Sequence, residues 1–107
     1  MKPALLIIFD AVSCASGIPI SAIRGRRRTR VVTWARFVVV SLVHTRFPWW
    51  SHAQLSEVVG RIDHGTAANA LHRAESLNRS DPAFADLLAR SATLSSAGSD
   101  AKTVNLS

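Results

Sequence analysis

The chain has 107 residues, 48% of them hydrophobic and 19% charged, with thirteen Lys and Arg against seven Asp and Glu for a net charge of +6. That length allows one domain with one modest core, and the composition excludes an intrinsically disordered chain. A single cysteine, Cys14, excludes an intramolecular disulfide or a multi-cysteine zinc site, and the basic excess points to an acidic partner, nucleic acid or anionic lipid.

The charge is unevenly spread. Residues 1–50 hold eight Lys and Arg and one acid, Asp10, a balance of +7, whereas residues 51–107 hold five bases and six acids, a balance of −1. The basic centre is Arg24-Gly25-Arg26-Arg27-Arg28-Thr29-Arg30. The competing reading of such a tract is a solvated basic loop.

Lys2 followed by Ala4-Leu5-Leu6-Ile7-Ile8-Phe9 resembles the start of a secretory signal. The apolar run is only six residues long before Asp10, short of the roughly 7–15 such a core needs. Residues 37–43 form a second apolar run, far below the about twenty residues that span a bilayer. A cytoplasmic protein without membrane association is expected.

Pro3 is placed to open a first helix, because its missing N–H has no partner in a first turn. Apolar residues continue to Ala15, nearly all round, so a largely buried helix is expected, with Cys14 as a small buried residue and Gly17 as the stop. Residues 18–23 read as a connection or a single helical turn leading to the arginines.

A long helix is expected from about Arg30 to Thr45, with Val31, Ala35, Val38, Val39 and Leu42 on one face. Its β-branched content favours a strand, but sixteen residues at that period make a poor one. Phe47-Pro48-Trp49-Trp50 ends it, and the two tryptophans are expected to close the core beneath it. Ser51 and Gln54 have the spacing of a capping box for the next helix, whose buried stripe is Leu55, Val58 and Val59. Gly60, Arg61 and Ile62 turn the chain into a further helix starting near Asp63. The inner face of that helix is Ala67, Ala70, Leu71, Ala74 and Leu77, and its outer face is Gly65, Asn69, His72, Arg73 and Ser76. Asp81 or Ser80 caps a last helix with Pro82 at its first position and Phe84, Leu87, Leu88 and Ala92 inward. From Ser95 onward Ser, Gly, Asp and Lys predict a flexible tail, leaving residues 1–94 as the domain. The expected fold is all-α, a small bundle of about five to six helices.

Two helices joined by a short glycine-containing turn, the second small and apolar inside and polar outside, have the pattern of a helix-turn-helix. An ordinary helical corner has the same pattern. The upstream arginines change the weighing, since a helix fits the major groove while arginines clamp phosphates or enter the minor groove. At the start of the second helix, Asp63 suits a cytosine amine, His64 a base edge, and Thr66 a phosphate or thymine methyl. Asp63 is also a natural helix cap, and His64 reads equally as a solvated surface histidine.

These residues carry a resemblance. Arg26-Arg27-Arg28-Thr29-Arg30-Val31-Val32 with Ala35-Arg36 resembles the basic loop and long helix of the C-terminal DNA-binding domain of the bacterial replication initiator DnaA. Ser51-His52-Ala53-Gln54-Leu55 stands where that family has Ser-Leu-Pro-Glu-Ile. Gly60-Arg61-Ile62-Asp63-His64-Gly65-Thr66-Ala67-Ala68-Asn69-Ala70 stands at its Gly-Gly-Arg-Asp-His-Thr-Thr-Val-x-His-Ala signature. The similarity runs from about Ala4 to Leu88. It implies duplex DNA binding in replication initiation or its regulation. Asp63 and His64 would read bases in the major groove, Arg28 would enter the minor groove, and Thr66, Asn69 and Arg73 would lie near phosphate. Arg26, Arg27, Arg30, Ser51 and Arg61 complete the expected contact set. Ile62 in place of the signature arginine, Gly65 in place of a threonine and Asn69 in place of a histidine predict an altered or relaxed sequence preference.

No phosphate loop of the Gly-x-x-x-x-Gly-Lys-[Ser/Thr] type occurs, so no nucleotide site is expected in this chain. The four histidines lack zinc-site spacing, and neither a metal, a cofactor nor an enzymatic activity is expected. Competing readings are a helical module whose arginines bind a protein or RNA, a small transcriptional regulator, and a basic membrane-associated protein.

Overall fold

The computed structural model describes residues 3–25, 29–59 and 64–106, with side chains for 3–25, 29–59 and 67–96. Among the described residues the chain is all-helical, with six helices and no strand: α1 (Pro3–Ser16), α2 (Ile20–Ile23), α3 (Arg30–Arg46), α4 (His52–Val58), α5 (His64–Ser80) and α6 (Pro82–Leu106).

Helix α1 ends as its composition predicts. Gly17 takes φ +75 and donates its N–H to the Ser13 carbonyl at 2.8 Å, the left-handed termination that glycine adopts without a Cβ clash. The Ser16 hydroxyl donates to the Val12 carbonyl and accepts from the Ile18 N–H. The helix is not buried all round. Ile8, Phe9, Ala11 and Val12 face the core, while Leu6 is 45% exposed and Cys14 lies on the outer side. The buried residues occupy one arc at helical spacing, and Leu6, Asp10 and Cys14, four apart, fall on the opposite arc. The expected burial of Cys14 is therefore corrected.

Helix α3 is the centre of the fold and packs against each of the other five. Burial on several sides overrides the strand preference of its valines. Its inner stripe is Val32, Arg36, Val39 and Val43, flanked by Ala35, Val38 and Val40. The sequence pattern puts Val31 on that stripe, whereas Val31 is 49% exposed. Ala35, Val38 and Val39 are buried as that pattern expects and Leu42 is half-buried, so the departure is confined to Val31 in the first turn of the helix.

The Ser51–Gln54 capping box forms in full, with Gln54 N–H donating to Ser51 Oγ and Ser51 N–H to Gln54 Oε1. Leu55, Val58 and Val59 are buried as expected. Ala67, Ala70 and Ala74 give α5 a flat inner face against α3 and α4, with Leu71 and Leu77 half-buried at its edges. Asp81 rather than Ser80 caps α6, accepting from the N–H groups of Ala83 and Phe84. Ser80 instead donates back to the Ser76 carbonyl. Phe84 and Leu87 are buried. Helix α6, which packs against α1, continues as helix to Leu106, past the point where composition predicts a flexible tail.

The tryptophan pair divides. Trp50 stacks on Phe47 at 4.6 Å and packs on the core, but Trp49 stands edge-on to Phe47 with 74% of its surface exposed. Only Trp50 closes the core: its ring lies on the face of Phe47, whereas Trp49 meets that ring edge-on.

Candidate nucleic-acid interface

The arginine tract begins from a fixed base. Arg36 is only 7% exposed, and among the described residues its guanidinium donates to three carbonyls: Nε to Ile23 at 2.7 Å, and Nη2 to Ala22 at 3.2 Å and to Gly25 at 2.5 Å. The carbonyls at the end of α2 have no partners within that helix, and a cation there satisfies them and complements their partial negative charge. Gly25 is tightly seated. A Cβ there would lie 3.0 Å from the Ser21 carbonyl oxygen, so only glycine fits without displacement. On the far side of the tract, Thr29 begins α3, accepting the Thr33 N–H at 2.9 Å. Both ends of the tract are thus tied to α2 and α3. Arg26, Arg27 and Arg28 themselves lie outside the described residues.

Arg30 is the last arginine of the tract and the first residue of α3. Its guanidinium lies 4.7 Å over the Trp34 ring and pairs with Asp81 Oδ2 at 3.4 Å, while its side chain stays 73% exposed. Trp34 in turn meets Phe84 edge-on at 5.4 Å, so the platform beneath Arg30 is anchored in the core. An arginine stacked on an aromatic face keeps its donors in one plane and free at the edge.

Helix α5 is positioned by α4 through a buried hydroxyl. Ser56, wholly buried, accepts the Ala67 N–H at 3.1 Å. Outward from this anchor, Asn69 and Arg73 are exposed one turn apart on one strip of α5. Arg73 and Arg30 then line the same groove, about 300 Å³ in volume, with Thr33, Trp34, Phe37 and Leu77. Two basic residues 43 positions apart in sequence therefore share one surface.

The remaining expected contacts are distributed as follows. Ser51 stands at the start of α4 with its hydroxyl engaged in the capping box, which gives it a structural role. His64 and Thr66 belong to the first turn of α5, with their side chains outside the described residues. Arg61 and Asp63, with the rest of the turn between α4 and α5, also lie outside them. The residues not foreseen as parts of the site are Arg36, Ser56, Trp34 and Asp81. Arg36 did carry a signal, as a lone charged residue between Ala35 and Phe37 in an apolar stretch, whereas Ser56, beside Glu57, carried none.

A second groove, about 530 Å³, is lined by His44, His52 and His72 with Ser41, Glu75 and Asn78 among its polar residues. Among the described residues no group of three or more His, Cys, Asp or Glu is arranged to hold a metal ion. No helix of the described residues is long and apolar enough to cross a membrane. Comparison of the chain with protein-family models, curated proteins and solved structures finds no match.

Proposed function

We propose that this chain is a duplex DNA-binding domain, in which α4 and α5 act as a helix-turn-helix and the arginine tract before α3 reaches the adjacent minor groove. The observation that carries the reading is the shared surface of Arg30 and Arg73, which joins the end of the arginine tract to the polar strip of α5. His64 and Arg73 are nine residues apart, about 14 Å along the helix at about 1.5 Å per residue. Half a turn of B-DNA, roughly 17 Å, separates neighbouring major and minor grooves. A helix whose first turn enters one groove thus brings Arg73 and Arg30 to the phosphates bordering the next.

Within this reading Asp63 and His64 read bases, Thr66, Asn69, Arg61 and Arg73 lie at or near phosphate, and Arg26, Arg27, Arg28 and Arg30 serve the minor groove and its rim. The chain's role is binding rather than catalysis, in replication initiation or its regulation, as the resemblance to the initiator domain implies. A protein-interaction reading draws on one observation of its own, the 74% exposure of Trp49, since exposed tryptophan is enriched where partners dock. Selection from random duplexes, followed by competition with single-stranded DNA and RNA, tests the proposal. Enrichment of a defined duplex motif that neither competitor displaces is the expected result. Equal or better binding of RNA or single strands overturns it.

A further inference from the structure

The groove between the start of α3 and the second half of α5 has an unusual combination of walls. It is lined by the half-buried Trp34, Phe37, Leu77 and Thr33 and by the exposed Arg30 and Arg73. The cations come from different helices. Arg73 has no ion-pair partner among the described residues, and the only such partner of Arg30 there is Asp81. Asp81 lies one turn beyond Leu77, whose carbonyl accepts its N–H at 2.8 Å. Its Oδ1 is engaged in capping α6, so the carboxylate is held in place and only Oδ2 turns to Arg30.

Two cations lining one groove attract an anion from both sides. The guanidinium edge matches a phosphate as well as a carboxylate, through parallel N–H donors. We infer that this groove is a backbone-phosphate site, taking one phosphodiester between Arg30 and Arg73, and that Asp81 holds Arg30 in the free protein by the contact the phosphate makes in the complex. The inference rests on the duplex-binding reading above. Because Asp81 is fixed by its capping bonds, it competes with DNA for Arg30 rather than moving with it.

Fluorescence anisotropy of a labelled duplex with the whole chain tests this through a cycle of Arg30→Ala, Asp81→Asn and the double variant. Asparagine caps a helix as well as aspartate does, so Asp81→Asn keeps α6 intact. Asp86→Asn serves as the control, since it makes the same charge change in the first turns of α6 at a residue whose ion-pair partner among the described residues is Arg90. Arg30→Lys, which keeps the charge and loses the fork, guards against a folding defect in Arg30→Ala. Arg30→Ala is expected to weaken binding about fivefold to tenfold and to reduce the salt slope by about one. Asp81→Asn is expected to tighten binding about threefold in the parent chain, and by less than about 1.5-fold when Arg30 is already alanine or in the Asp86→Asn control. An equal gain from Asp81→Asn with and without Arg30, or from Asp86→Asn, overturns the phosphate site alone. A parent chain with no duplex affinity overturns the duplex-binding reading and this site with it.

Discussion

Arg36 occupies the middle of the stripe that α3 turns to the core, where an apolar residue would ordinarily stand. It is tolerated because three carbonyls receive its donors, and a buried cation without such partners is strongly destabilising. Arg36→Ala takes a donor from the Ile23 and Gly25 carbonyls, while the Ala22 carbonyl keeps the Gly25 N–H at 3.1 Å, and it opens a cavity, so a loss of about 2–4 kcal/mol is expected in urea denaturation. Arg36→Lys recovers part of it at most, since an ammonium cannot reproduce the fork. Equal stability of Arg36→Ala and the parent chain would mean that the base of the arginine tract is held by something else. At the other end of the proposed interface, His64 is the first residue of α5, the part of a recognition helix that meets base edges. His64→Ala is expected to cost about 1–3 kcal/mol on the preferred duplex and little on random duplex. Equal weakening on both would remove His64 from base reading.

At the scale of elements, the pairing of α4 with α5 depends on a buried hydroxyl accepting the Ala67 N–H. Ser56→Ala leaves that N–H without its partner in an apolar surround, and about 1–3 kcal/mol of stability should be lost. A thermal melt of this variant unchanged from the parent would refute the role. The helix limits set by local rules were legible from the residues themselves. Gly17, the Ser51–Gln54 box, the alanine face of α5 and the Asp81 cap each depend on groups within four positions in the chain. What depended on distant neighbours was not legible. The apolar face of α3 is legible at Ala35, Val38 and Val39, but the burial of Arg36 is not, because it depends on carbonyls from α2 and Gly25. Trp49 and Trp50 were expected to act together, and only the Phe47 ring separates their roles. Of the candidate site, the outward strip of Asn69 and Arg73 followed from periodicity. The groove that joins Arg73 to Arg30 did not, because it arises from α3 lying against α5.

Taken as a whole, the molecule carries a positive half and a nearly neutral half, +7 against −1, and the fold brings one member of each to a single groove. A field of this kind serves association with a polyanion and draws its affinity from displaced counterions. If about four to six basic side chains neutralise phosphates, the affinity must fall steeply as salt is raised. The salt dependence of duplex binding is therefore the most direct measurement: log K should fall against log salt concentration with a slope of roughly −4 to −5, and a slope near zero would overturn the proposal that this chain binds duplex DNA.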